Sequence, residues 1–351
     1  MDTNVDYIIV GLGLAGIALA EELKRQDKSF LVYEDSSQTS SLVAGGMYNP
    51  VILKRFTPVW NAKEQLDVAI PFYLSLEKKL KDTFDQPLDI YRTFKSIEEQ
   101  NNWFIASDKP ALQEFMHPEL VKLEAKHVVA PYQAGRVKHT GRIRVRELVS
   151  AYREYLKNEG KLIEETFRHE RIITWETHVE YKNCTANRIV FCEGNGLKSN
   201  PFFNKLPLNG TKGELLTIHA PDLKLDDVIK SAVFVMPLGD DLYKVGATFN
   251  WSDKTNIPTA EGRKELEDKL KTVITCHYDI VAHEAGVRPT TGDRRPLLGV
   301  HKDNHRLALL NGLGTRGVMI APLMAKKLYQ FLENDKALDE DIDIKRFKQK
   351  N

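Results

Sequence analysis

Apolar positions change period repeatedly along this chain, and the changes mark its elements. Tyr7-Ile8-Ile9-Val10 is an unbroken β-type run, after which Leu14, Ile17, Ala18, Leu19 and Leu23 follow at three- and four-residue spacing, as on a helix packed against a sheet. Phe30-Leu31-Val32-Tyr33 returns to a strand pattern. Further on, the pattern predicts a helix over Leu66–Leu80, a strand over Asp89–Phe94 and a mixed, helix-rich stretch from Ile97 to Val121. Arg142–Glu159 is amphipathic at helical spacing and stops at Gly160, placed as a helix C-cap. Leu162-Ile163 and Arg188-Ile189-Val190-Phe191 are short runs of the kind buried in parallel sheets.

From residue 206 to 284 alternation takes over. Glu214–His219, Val233–Pro237 and Leu242–Thr248 read as strands, with Gly239-Asp240-Asp241 as a hairpin turn. Arg306–Leu310 is a further strand, Gly312–Gly317 a second glycine-rich turn, and Ala321–Leu332 a final helix. The expected fold is α/β: a discontinuous Rossmann-like cofactor-binding domain (1–55, 140–205 and 285–345) with an inserted substrate domain on a mainly antiparallel sheet (56–139 and 206–284).

The first turn carries the sharpest chemistry. Gly11-Leu12-Gly13-Leu14-Ala15-Gly16 joins a strand to a helix, and an acid, Glu34, ends the next apolar run roughly 20 residues on. Gly11 permits the sharp turn, Gly13 lets backbone N–H groups approach a pyrophosphate, and Gly16 lets the helix pack close on the strand. The helix N-terminus offers unpaired N–H groups and its positive dipole end to phosphates. Glu34 suits ribose hydroxyls and repels a 2′-phosphate, which disfavours NADP. The second turn decides between the remaining dinucleotides. An NAD dehydrogenase has no need of another strand–turn–helix near the far end of the chain, whereas a late helix N-terminus can face the flavin ring and stabilise its reduced, anionic form. FAD is the expected cofactor.

Composition narrows the classes. Basic and acidic residues number 50 and 49, so charge balance gives no electrostatic reason to expect nucleic acid or an anionic membrane as partner. No apolar run reaches the roughly 18 residues of a membrane span, and the N-terminus lacks a basic leader with a cleavage site. Cys184, Cys192 and Cys276 are too few and too irregular for a disulfide frame or a metal site. A reduced, cytoplasmic protein without metal is expected.

In order along the chain, these motifs resemble the D-amino-acid oxidase family of FAD-dependent oxidoreductases, in its glycine-oxidase-like branch. They are also similar to the flavin domain of the bifunctional enzyme that makes 5-methylaminomethyl-2-thiouridine in tRNA. The resemblance runs through the glycine turn, Glu34, Ser40–Pro50, Gly141-Arg142-Ile143 opening a helix, and Ile189–Gly194. It continues through Pro237, Val245–Thr248, Gly286-Val287-Arg288-Pro289, Asp293, Pro296 and Gly299 to Gly312–Gly317. It implies that Glu34 and Asp35 meet the adenosine end and that Ser40, Ser41, Gly45, Gly46 and Met47 line the pyrophosphate and flavin face. Backbone groups near His169 then meet adenine, Gly194 belongs to the cofactor set, and Leu313, Gly314, Thr315, Arg316, Gly317, Val318 and Met319 hold the flavin edge. A surface turn is the bland alternative for Gly45-Gly46.

The family's reaction is oxidation of a primary or secondary amine to an imine by hydride transfer to flavin N5, with the substrate carboxylate clamped by arginine. Guanidinium suits that task because its planar fork binds carboxylate bidentately and stays charged. Arg288 holds the clamp position, the alternative being a structural pair with Asp293 or Glu284. Either Arg316 or Thr315 faces the flavin, depending on how the late turn is aligned. Phe234 stands where glycine oxidase has a tyrosine, which removes one carboxylate contact. Tyr48, His219, Tyr243 and Asn250 are candidates to replace it, while His139 and His277 read as structural. The last cysteine, Cys276, precedes the clamp motif, so FAD is expected to be noncovalent. The expected partners are a small amine or amino-acid substrate and an electron acceptor, oxygen or another. Two other functions stay open: tRNA modification at a carboxymethylaminomethyl group, and flavin binding without amine turnover.

Overall fold

The computed structural model describes residues 3–347. Thr3–Val10 lies at the middle of an eight-stranded sheet. On one side it pairs in parallel with Phe30–Tyr33, which pairs with Leu162–Ile163 at the edge. On the other side it pairs in parallel with Cys184–Phe191. That strand divides its far edge. Its second half runs parallel to Leu307–Asn311, and its first half is antiparallel to Val179–Tyr181, which carries Ile172–Thr174. Leu297–Val300 closes the Leu307–Asn311 side in antiparallel sense.

Leu14–Arg25 buries an almost unbroken apolar face, from Leu14 to Ala20 and at Leu23, because Gly317–Glu333 lies across it. Gly317–Glu333 packs in turn on Ala62–Leu80, and all three helices share one core. Tyr73 ties the last two together by donating its hydroxyl to Val318 O at 2.8 Å. The helix Ala62–Leu80 therefore packs with the cofactor-binding part, although the sequence placed it beyond the boundary at 56. The other boundary, at 285, falls inside the continuous strand Asp279–Arg288.

The second sheet is also eight-stranded. Its order is Asp279–Arg288, Thr211–His219, Leu242–Gly246, Phe234–Gly239, Val228–Lys230, Ile90–Thr93, Ala134–Val137 and Met116–Val121. Every pair is antiparallel except Val228–Lys230 with Ile90–Thr93. Gly239, Asp240 and Asp241, all at positive φ, turn the hairpin between Phe234–Gly239 and Leu242–Gly246.

Two elements depart from the periodicity reading. Gly141-Arg142-Ile143 does not open a helix; it is the middle strand of a three-stranded sheet with Met47–Tyr48 and Asp85–Pro87, and the helix is Val145–Asn158. Close packing fixes this strand, since a Cβ at Gly141 would stand 2.2 Å from the Tyr48 hydroxyl. The stretch Ile97–Val121 splits into a helix, Ile97–Ser107, and a strand, Met116–Val121, with Ser96 capping the helix through Oγ at 3.3 Å from Glu99 N. Among the described residues no helix is long and apolar enough to cross a membrane, and no cluster of His, Cys, Asp or Glu could hold a metal ion.

Candidate active site

One cavity of about 890 Å³ runs from the carboxyl ends of the parallel strands to the face of the antiparallel sheet. This is where open α/β sheets bind ligands, beyond the strand ends. Its nucleotide end is built largely from backbone. Gly11 takes φ +99°, and a Cβ there would lie 2.7 Å from Cys192 O. A Cβ at Gly16 would lie 2.0 Å from Gly11 O, so only glycine lets the helix sit this close to the turn. Leu14–Arg25 has no side-chain cap, and Gly13, Leu14 and Ala15 at its N-terminus line the cavity. Donors left without intrahelical partners thus face the space where a pyrophosphate would lie. Ser41 Oγ stands 3.4 Å from Leu14 N.

Glu34 is fixed at this end by two backbone donors, Leu12 N and Ser36 N, each at 2.6 Å. Beside it on the wall are Asp35, Ser40 and Ser41. His169 also lines the cavity and meets Glu193 Oε1 through Nε2 at 2.8 Å, while Glu193 Oε2 accepts from Asn200 at 2.7 Å. Gly45, Gly46 and Met47 cross the middle of the wall. Gly46 is no surface turn: it is buried at φ +73°, and a Cβ would meet Ile143 O at 1.9 Å.

The late turn brings a second uncapped helix N-terminus to the same cavity. Leu313, Gly314, Thr315, Gly317 and Val318 line it, where Gly317–Glu333 begins. Asn311 joins this turn to the segment that follows Cys184–Phe191 by donating to Gly194 O at 3.0 Å, and Gly194 itself is on the wall. Two helix N-termini, a fixed carboxylate and a glycine cradle together fit an adenine dinucleotide whose far end extends onto the antiparallel sheet.

That sheet supplies the other end. Arg288, the last residue of its edge strand, lines the cavity with its guanidinium 4.7 Å from the Phe249 ring centroid. Its one side-chain hydrogen bond among the described residues goes to Thr248 O at 3.3 Å. Asp293 pairs with Arg346 and Glu284 with Arg146 and Lys244, so neither expected structural partner engages Arg288. Among the described residues no carboxylate lies within 4.0 Å of it. Burial lowers its pKa to about 10. Phe234, Leu215, Gly246 and Gly213 complete this wall.

Several predicted site residues stand elsewhere. Tyr48 does not reach the cavity: it follows Met47 in a short strand, points to the opposite side, and donates to Asp85 Oδ1 at 2.8 Å beside a separate cavity. Arg316 is the N-cap residue of the late helix and does not line the wall, whereas Thr315 does. Gly16, Gly312 and Met319 support the walls from behind, Met319 being fully buried. Tyr243 is spent in the core, where its hydroxyl accepts from Leu225 N at 3.2 Å, and Asn250 caps its own loop by accepting from Ser252 N at 2.8 Å. Sequence reading missed Gly213, Leu215, Lys230 and Phe249 on the wall. The usable signal was strand alternation: Gly213 and Leu215, two apart, share one face, as do Gly286 and Arg288.

The profile of the family described as FAD dependent oxidoreductase (DAO) matches residues 6–330. The chain belongs to this DAO family. It is an FAD-dependent oxidoreductase, and the residues that line the cavity fit that cofactor. The chain is 23% identical to glycine oxidase of Bacillus subtilis (strain 168), over 97% of this chain and 96% of that one. It is also 23% identical to the tRNA 5-methylaminomethyl-2-thiouridine biosynthesis bifunctional protein MnmC of Marinobacter nauticus, over 92% of this chain but 54% of that protein. In three dimensions it is similar to glycine oxidase from Geobacillus kaustophilus, with TM-score 0.78 and 19% identity, covering 96% of this chain and 97% of that one. This likeness shows the mixed α/β fold of that DAO enzyme.

Proposed function

We propose that this DAO enzyme oxidises a small amine that carries a carboxylate, a primary or secondary amino acid, to the imine. The observation that carries the reading is Arg288: a half-buried guanidinium on the cavity wall, without a carboxylate partner among the described residues. Charges withdrawn from water are normally paired, and an arriving carboxylate completes this one with the bidentate fork that arginine offers.

FAD, when bound, supplies the hydride acceptor at its N5. The chain's residues do the positioning. Arg288 fixes the carboxylate and thereby the α-carbon, leaving the amine free to turn toward the ring. Phe234 and Leu215 give this wall an apolar surface that excludes water from the C–H bond being broken. No side chain is needed as base if the amine arrives neutral. Glu34 takes the ribose, the Leu14–Arg25 N-terminus the pyrophosphate, and the Gly317–Glu333 N-terminus the ring edge. The test is anaerobic titration of the purified yellow protein with N-methyl and α-amino acids. Bleaching of the visible flavin band by at least one is expected, and no bleaching by any would contradict the reading.

A second reading, action on a carboxymethylaminomethyl group of tRNA, has one observation in its favour: Phe249, 60% exposed, is an aromatic platform at the cavity wall. A gel shift with tRNA at moderate salt separates it from the first.

A further inference from the structure

The sheet that carries Arg288 carries another cation on the same wall. Lys230 lies directly opposite Phe234, Phe234 opposite Gly246, and Gly246 opposite Leu215. Opposed residues in adjacent strands project from one face, and all four line the cavity. Gly213, two residues before Leu215, lies beneath the guanidinium: a Cβ there would stand 1.8 Å from Arg288 Nη2. The guanidinium therefore lies over the strand Thr211–His219, three strand spacings or about 14 Å from the strand that carries Lys230, with a floor of glycine and apolar side chains between them.

Among the described residues Lys230 has no counter-ion: its only side-chain hydrogen bond to them is to Ser231 O at 3.2 Å, and no carboxylate of theirs lies within 4.0 Å of it. Lys269, also on this wall, is paired with Glu265 on its own helix. Burial, with Arg92, Lys269 and Lys95 nearby, lowers the Lys230 pKa to about 8, a position that an arriving anion would reverse. The acidic residues of the cavity wall, Glu34, Asp35, Glu165, Glu170 and Glu193, all belong to segments at the nucleotide end. The sheet end presents cations only.

We propose that Lys230 forms a second anion subsite, and that the substrate is an elongated amine with one carboxylate on Arg288 and a further carboxylate or phosphate monoester on Lys230, on the order of 10 Å away. This rests on the amine-oxidising reading above and adds the substrate's length and second charge.

The test uses the holoenzyme and a graded series of amines, following flavin perturbation and anaerobic reduction. N-Carboxymethyl-aminohexanoate spans the two cations, N-hexylglycine has the same reach without the second charge, iminodiacetate is too short, and N-carboxymethyl-aminopentyl phosphate carries the other anion. A charge-assisted contact predicts binding of the long dianion about tenfold tighter than N-hexylglycine. In Lys230→Gln the ratio of these two affinities should fall to about one, and in Lys230→Arg it should persist. Iminodiacetate should gain nothing from Lys230, and the larger ratio between carboxylate and phosphate tails identifies the anion. Equal binding of charged and neutral tails by the wild type, or a ratio that survives Lys230→Gln, overturns the subsite. Reduction by N-hexylglycine with no charge preference leaves amine oxidation standing and removes only Lys230. Failure of every member to reduce the flavin contradicts both.

Discussion

The two ends of the cavity are made from different materials. The nucleotide end is backbone: glycines that bring main chain within contact, an uncapped helix N-terminus, and one carboxylate held by two N–H groups. The sheet end is side chain: Arg288 over Gly213, Phe249 against the guanidinium, and Phe234 and Lys230 across neighbouring strands. Backbone recognition suits a constant cofactor, because main-chain donors vary little with sequence. Side chains on a rigid sheet can be exchanged one at a time without disturbing the strands, which suits a site whose substrate differs between relatives.

That contrast can be broken from either side. The largest expected effect is at the nucleotide end, where Gly16→Val drives a side chain into Gly11 O. A clash with backbone cannot be relieved by a rotamer change, so FAD affinity should fall by roughly 100-fold or more and the protein should purify colourless. Retention of stoichiometric flavin, measured by absorbance after gel filtration, would show that the close approach is dispensable.

A pH series sharpens the sheet end. A guanidinium at about 10 stays charged through neutral pH and loses its proton only as pH rises past that value. The part of N-hexylglycine affinity that Arg288 supplies should therefore hold to about pH 10 and fall above it. The extra affinity for a dianion should fade earlier, from about pH 8, as Lys230 deprotonates among Arg92, Lys269 and Lys95. Parallel pH curves for the two ligands would mean that one cation serves both.

The smallest effect expected is from Phe234→Tyr, which adds a hydroxyl beside the cavity. One neutral hydrogen bond gives about 0.5–1.5 kcal/mol, so glycine or N-methylglycine affinity should rise by a few-fold, read from flavin titration. A fall would mean that the ring must stay wholly apolar.

The same contrast explains what could be read in the sequence. Gly11–Gly16, Glu34 and the late turn are contiguous motifs whose physical roles depend on neighbours in the chain, so they stand out without a structure. The sheet end depends on register. Lys230 and Phe234 face each other only because the chain reverses over Ser231–Val233, and Gly213 meets Arg288 through the pairing of two strands far apart in the sequence. Nothing local announces either contact. Tyr48 is hard to place from sequence for a related reason: alternation puts it opposite to Met47, and only the pairing of Met47–Tyr48 with Gly141–Ile143 settles which one faces the cavity. The strand Gly141–Ile143 looks helical in sequence because Arg142 continues the helical spacing of Val145–Asn158 into a segment that tertiary pairing holds extended.

The most direct measurement compares wild-type and Arg288→Leu holoenzymes in anaerobic reduction by the best amine of the titration. Removing the guanidinium that the substrate carboxylate pairs with should slow flavin reduction at fixed substrate by roughly 100- to 1,000-fold, with FAD content and spectrum retained. Equal rates of bleaching in the two proteins would contradict a carboxylate held by Arg288.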